Sequence, residues 1–413
     1  MIERIVDFSV RRRWLVLLVT LAIAATGFWS LTKLPIDAVP DVTNVQVQIN
    51  AVAPSLTPVE IEKQVTVALE TALAGIPGLE STRSFSRNGF AQITAVFADR
   101  TNIYFARQLV SERINDAKAN LPPGVEVKMG PVSTGLGEIY WWAVEYEKPG
   151  TTAPVREGQP GWQPDGSYLT PEGERLTDDF HRTVYLRTVQ DWIIRPQMKT
   201  VPGVAGADAI GGFVKQFQVQ PDPARLIGYG LSFRQVTEAI EANNVSRGAN
   251  YIEQNGEGFV VRAAGRVENM EDIAQIVVTT RGGVPVRVKD VAEVGIGREL
   301  RTGSASVDGR EVVLGTALML IGGNSRTVAA AADARIKEIS KTLPPGIYAH
   351  TVLNRTQLVD ATIHTVASNL GEGALLVIAV LFLMLGNFRA AIITACVIPV
   401  TMLITATGML QGR

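Results

Sequence analysis

Two carboxylates stand where a cation could use them. Glu138 follows Gly135-Leu136-Gly137 and opens the run IYWWAVEY, an apolar strand that should be buried. A carboxylate there meets a desolvation cost unless a cation or hydrogen bonds offset it. Asp191 lies in DWIIRP, on the helix that follows this strand, and adjacent elements of one unit would bring the two within reach of a shared divalent ion. Zinc, cobalt and cadmium accept carboxylate and imidazole ligands, whereas monovalent copper and silver prefer thioether sulfur. The competing reading for each is an exposed or ion-paired carboxylate, and Arg195, four residues beyond Asp191, is a ready helical partner. Met129, Met198, Met270 and Met319 are scattered through separate elements and read as core filling. His181, His350 and His364 belong to no His/Asp/Glu cluster with ligand spacing and read as structural. Asp37 and Asp41 follow the first apolar run, where capping of a helix exit competes with shaping a cation entrance. No phosphate-cradling glycine loop and no nucleophile–base constellation occurs, so the chain reads as neither an enzyme nor a user of nucleotide or resident cofactor.

What positions these groups is a chain anchored in lipid at both ends. Arg13 and Lys33 bracket 19 uncharged residues, Glu372 and Arg389 bracket 16, and Ala390–Gly412 adds 23. About 20 apolar residues in a helix cross a bilayer. The first and third runs suffice alone, and the second does if its helix starts near Thr365. A cleaved signal peptide is the alternative for the first run, but Trp14 and Trp29 near its two ends suit the interfacial anchors of a complete span. Arg4, Arg11, Arg12 and Arg13 before it, and Arg389 in the turn between the last two, place those sites in the cytoplasm and the long insert outside. Residues 14–360 hold 33 Lys and Arg against 37 Asp and Glu, a net charge of −4. A nucleic-acid binder would be basic. The single cysteine, Cys396, is in the third run, so the outer region has neither disulfides nor a thiolate site and must be held by core packing.

That outer region is duplicated. Its first half reads strand 45–49, helix 58–74, strand 81–86, strand 92–97, helix 102–119 and strand 125–129, with IPGL (76–79) and LPPG (121–124) as breaks. The second reads strand 139–144, helix 183–199, VPGV (201–204), strand 207–210, a Gly211-Gly212-Phe213 turn and strand 216–219, then strand 312–320, helix 325–341, LPPG (343–346) and strand 347–352. Both are βαββαβ, a ferredoxin-like pattern. Pro77 to Pro122 is 45 residues while Pro202 to Pro344 is 142, an excess of 97. The extra material is an inserted subdomain with a helix at 233–241 and strands at 258–262 and 284–288. Lys148–Asp179, rich in Gly, Pro and Thr, reads as a mobile surface hairpin. The fold class is thus an α/β (α+β) membrane protein with two such units. Its organisation is a cytoplasmic N-terminus 1–13, spans 14–32, 365–386 and 390–411, a first unit 33–130, a second 131–220 with 311–355, and the insert 221–310.

The strings LPIDAVPDVTNVQVQ (34–48), PVSTGLGEIYWW (131–142), TVQDWIIRPQ (188–197), YGLSFRQVTEAIEANN (229–244), REVVLGTALMLIGGNSR (310–326) and FLMLGNFRAAIIT (382–394) resemble the resistance-nodulation-division (RND) efflux permeases. Within them they resemble the heavy-metal branch of cobalt–zinc–cadmium (CzcA-like) type. The resemblance implies a bacterial inner-membrane homotrimer that exports divalent cations as substrate by proton antiport, docking a periplasmic membrane-fusion adaptor and an outer-membrane channel. It also implies that the two units are porter subdomains, that the insert is a docking subdomain, and that the face bearing Glu138 and Asp191 lines the substrate path. Members have twelve spans, and their proton-relay acids begin in the fourth. The three runs here hold only Glu372, near an interface, so the chain is expected to be the N-terminal part of a pump and inactive alone. A drug-exporting relative and a membrane-anchored remnant acting as a scaffold are the alternatives.

Overall fold

A computed structural model describes residues 8–33, 42–150, 155–245, 247–254, 257–263, 265–299, 301, 303–386 and 388–411. Asp37 and Asp41 lie outside them. Helix α1 (Arg13–Lys33) precedes β1 (Val45–Val52), which buries Val47, Ile49 and Ala51 and turns Gln46, Gln48 and Asn50 to its other face. Helix α2 is built from Pro58–Glu60, a wider π turn Ile61–Thr66, and Val67–Leu73. Its start is fixed by Pro58 and a reciprocal Thr57–Glu60 capping box. Then come β2 (Leu79–Arg87), β3 (Phe90–Phe97), α3 (Ile103–Ala117) capped by Asn102, and β4 (Glu126–Met129). The antiparallel sheet runs β2-β3-β1-β4. Ile61, Leu69 and Leu73 of α2 and Val110 of α3 pack on Ile49, Ile93 and Phe97, the helical and strand periodicities meeting face to face.

The second unit repeats that order. After β5 (Glu138–Tyr146) come three two-residue strands, β6 (Gly161–Trp162), β7 (Tyr168–Leu169) and β8 (Arg175–Leu176). Helix α4 joins Asp179–Val189, a π turn Gln190–Ile194 and Arg195–Met198, and leads to β9 (Val204–Ile210). An inserted segment follows: β10 (Lys215–Pro221), α5 (Pro223–Tyr229), α6 (Phe233–Asn243), β11 (Arg247–Gln254), β12 (Glu257–Ala263), α7 (Met270–Gln275), β13 (Val277–Arg281), β14 (Val284–Arg287), α8 (Val288–Val291) and β15 (Ala292–Arg298). The chain returns through β16 (Ala305–Val307) to β17 (Arg310–Met319), α9 (Ser325–Ser340) and β18 (Ile347–Asn354). The order β9-β17-β5-β18 matches the first sheet strand for strand.

Three expectations need correction. Strand 216–219 is not the hairpin partner of 207–210: β10 pairs with β15 from Lys215↔Arg298 to Pro221↔Ala292, and β9 pairs with β17. The Gly-Gly-Phe turn imitates the Asn88-Gly89 hairpin of the first half but leads out of the sheet. Gly211 (φ 83°) and Gly212 (φ 63°) adopt left-handed conformations, and a Cβ on Gly211 would lie 2.6 Å from the Val312 carbonyl. Secondly, much of Lys148–Asp179 is not a loose hairpin. The β6–β8 meander sends Tyr168 and Leu176 into the core of the second unit, and Trp162 packs against them. Tyr168 donates to the Pro345 carbonyl at 2.9 Å and Trp162 to that of Glu147 at 2.8 Å. Thirdly, the second apolar helix does not start near 365: α10 (Arg355–Leu385) is continuous with the end of β18, 31 residues or about 46 Å long at the usual rise.

With α11 (Phe388–Gln411), three helices among the described residues are long and apolar enough to cross a membrane. Helices α1 and α11 approach so closely that a Cβ on Gly27 would sit 2.5 Å from that of Leu403, as expected where small residues mediate helix contact in lipid.

The core of the second unit centres on Trp142. Fully buried, it donates from Nε1 to Gln190 Oε1 at 2.8 Å, and its ring lies over Gly315 on the neighbouring strand. A Cβ at 315 would come 2.1 Å from Trp142 Cε2. Gly315→Ala should therefore cost about 1–3 kcal/mol in denaturant unfolding of the outer region followed by tryptophan fluorescence. The same change in a Trp142→Leu background should cost clearly less; equal losses in both backgrounds would contradict the steric account.

Candidate functional site

Glu138 opens β5 opposite Leu318, and the structure corrects the premise that singled it out: it is exposed, not desolvated. The turn before it is closed by Gly137 N–H donating to Thr134 O, and Gly137 O accepts from Met319 N–H. Asp191 is half-buried and held by arginines of its own helix. Arg187 Nε donates to Oδ2 at 2.7 Å, and Arg195 Nη1 lies 3.7 Å from Oδ1. Both arginines continue to backbone, Arg187 to Gly211 O at 2.8 Å and Arg195 to Ala207 O at 2.7 Å, and Arg195 also meets Asp208 at 3.3 Å. Asp191 thus sits in a ladder that clamps α4 to the end of β9. Two guanidiniums oppose a cation there, and the ladder does not reach Glu138. Among the described residues no group of three or more His, Cys, Asp or Glu converges on a metal position.

One acid that the sequence reading passed over lies in the same strand. Tyr140, Trp142 and Val144 of β5 face the helices, so alternation turns Trp141, Ala143 and Glu145 to the opposite face. Glu145 is 5% exposed. Its Oε1 accepts from Tyr348 Oη at 2.7 Å and lies 3.5 Å from His350 Nδ1, and its Oε2 is 3.1 Å from Arg310 Nη2. The signal available in the sequence was an acid of the wrong parity inside an apolar alternation.

On the helix side, Asp333 of α9 accepts from Tyr140 Oη and Thr351 Oγ1, each at 3.0 Å, and from Lys337 Nζ at 2.6 Å. Burial opposes its charge, yet these donors hold its carboxyl below the usual range. This network pins α9 to β5 and β18. The cavity between α10 and α11, 990 Å³, is lined by Val366, Leu370, Ile378, Ile398 and Met402 among other mostly apolar groups and offers a cation little.

The ladder assigns Asp191 to stability. Asp191→Ala and Arg187→Ala should each lower the unfolding midpoint, and the double variant should lose less than their sum, by about 0.5–3 kcal/mol. Glu138→Ala should stay within about 0.5 kcal/mol of the parent. Additive losses in the first pair, read from denaturant curves, would remove the ladder from the account.

Comparison with known proteins gives this architecture its context. The nickel and cobalt resistance protein CnrA of Cupriavidus metallidurans is 56% identical over 412 residues, covering 100% of this chain and 38% of that protein. The cobalt-zinc-cadmium resistance protein CzcA of the same species is 51% identical over 413 residues, 100% of this chain and 37% of that protein. The cation efflux system protein CusA of Escherichia coli K12 is 35% identical over 401 residues, 97% and 35%. A crystal structure of a heavy metal efflux pump superposes with a TM-score of 0.82 at 32% identity, covering 98% of this chain and 38% of the other. The chain thus spans a little over a third of the length of these relatives. The model of the AcrB/AcrD/AcrF family matches residues 5–411. On that match the chain belongs to the AcrB/AcrD/AcrF family of resistance-nodulation-division permeases.

Proposed function

We propose that this chain supplies the first outer domain and three membrane spans of an inner-membrane exporter of divalent heavy-metal cations of the zinc, cobalt and cadmium class. The observation that carries the reading is identity of 51–56% along essentially the whole chain to nickel, cobalt, zinc and cadmium resistance proteins. The two sheet units serve as porter subdomains, and the segment on the β10–β15 stem docks the outer-membrane partner through a periplasmic adaptor. The working assembly is a homotrimer, and export is coupled to inward proton flow.

Physical features of the chain support this division of labour. Helix α10 runs unbroken from β18 into the apolar span, so movement in the membrane reaches the second unit without a hinge. Its first turns are tied to α9: Arg326 Nε donates to Asp360 Oδ1 at 2.6 Å, and Thr356 Oγ1 donates to the Arg326 carbonyl at 3.2 Å. Proton relays in membranes use ionisable side chains within the bilayer, where such groups are costly and therefore functional. Among the described residues, the apolar helix α10 carries Asp360 near its start, tied to Arg326, and Glu372 further along. The relay is assigned to the part of the relatives' length that this chain does not span, since it covers 38% of CnrA and 37% of CzcA.

Two measurements test the reading. In inverted membrane vesicles, correctly inserted chain alone should show no proton-driven zinc uptake; uptake dependent on a pH gradient would overturn the assignment of the relay elsewhere. In spheroplasts, a membrane-impermeant amine reagent should label Lys128, whose side chain is 78% exposed. Labelling only after lysis would reverse the topology and remove export from consideration.

A further inference from the structure

We propose that Glu145 and His350 form a divalent-cation site on the face of the second sheet turned away from its helices. The geometry carries the assignment. His350 Nδ1 is buried, makes no protein hydrogen bond, and lies 3.5 Å from Glu145 Oε1. That separation exceeds the ordinary N–H···O range of about 2.7–3.2 Å. It matches the edge of a tetrahedron built from metal–nitrogen and metal–oxygen bonds of about 2.0–2.2 Å, which is about 3.3–3.5 Å. A buried carboxylate and an unpartnered imidazole nitrogen thus face each other across the width of one metal ion.

The surroundings set what the site can bind. His350 stacks on Tyr348 with ring centroids 5.4 Å apart, and Tyr348 Oη donates to the same Oε1 that faces the imidazole. The Tyr348 hydroxyl is the donor of this bond. It orients the carboxylate as outer hydrogen bonds commonly do at metal sites. Arg310 occupies the other oxygen, Oε2, and competes with the cation for the charge of Glu145. One nitrogen and one oxygen ligand suit borderline divalent ions such as zinc, cobalt and nickel, and disfavour monovalent copper or silver. Two protein ligands leave coordination positions for water, which suits a stopping point better than a structural site. As a stopping point for cargo the site rests on the export reading above; as a binding site it does not.

Cobalt(II) titration of the purified 413-residue chain in detergent, free of any histidine tag, tests this. One equivalent should bind with visible d–d bands of a nitrogen/oxygen environment. His350→Gln should weaken binding by about tenfold or more and Tyr348→Phe by about tenfold, with unchanged melting curves. Arg310→Ala should tighten binding by releasing the carboxylate, a change of sign that damage to the fold would not produce. Absent bands, or bands equally strong in His350→Gln, would overturn the site. So would thiolate charge-transfer absorption that disappears in Cys396→Ser. Binding retained in a chain whose labelling shows cytosolic exposure would uphold the site while rejecting export.

Discussion

The second unit depends on β17 returning to the middle of its sheet. That strand pairs with β5 on one side and with β9 and β16 on the other, yet roughly a hundred residues separate it from β9. In the first unit the equivalent hairpin has a two-residue turn. Lengthening a connection that far costs about 3 kcal/mol in closure entropy, at about 0.6 kcal/mol per doubling. The structure offsets this locally. Strands β10 and β15 pair along seven residues, so the inserted segment brings its own ends together, and small cores around Val236 and Val288 hold it. The Gly211-Gly212 exit passes against Val312 and Val313 of β17, where side chains with a Cβ would keep the strands apart. The placement of Arg310 beside Glu145 and the tie from Arg187 to Gly211 both follow from this closure.

Closure of the sheet also joins the second unit directly to an apolar helix. Strand β18 pairs with β5, and the chain turns at Asn354, whose side chain accepts from Thr356 N–H, straight into α10. A helix without a proline or glycine break near this junction transmits displacement better than a loop would. Gly27 lets α1 approach α11 at backbone distance, while described apolar residues of α10 and α11 such as Leu375, Leu376, Leu383 and Ile393 are exposed. The rigid contact is thus at the sheet end and the open surface is at the lipid end.

Much of this was legible because each unit obeys local rules. The Pro-Gly breaks, the capping residues and the alternation of β1 marked nearly every element of both repeats, and the recurrence of LPPG exposed the insertion. The misreadings share a cause. Strand 216–219, the 148–179 segment and the start of α10 are each decided by a partner distant in the chain. β10 is defined by β15, the meander by Tyr168 reaching Pro345, and α10 by its contacts with α9. Glu138 adjoins an apolar run, but its position at the strand end leaves it exposed. Glu145 stands on the strand face away from the helices, and only its pairing to Tyr348 and its contact with Arg310 mark it as buried.

The three acids also differ in what a cation would meet. Asp191 is held between two guanidiniums, each fixed a second time to a backbone carbonyl, so neither can withdraw without freeing α4 from β9. Glu138 is solvated, and a dehydrated ion gains little there over water, where two unit charges 4 Å apart interact by about 1 kcal/mol. Glu145 lies between these limits. Burial strengthens its field, one arginine only partly neutralises it, and that arginine opens β17 just after a tight turn with its side chain half exposed. A carboxylate whose counter-charge can swing into solvent is able to exchange one cation for another. The balance between holding and releasing a cation is therefore set by the reach of Arg310 and not by the number of acids in the domain.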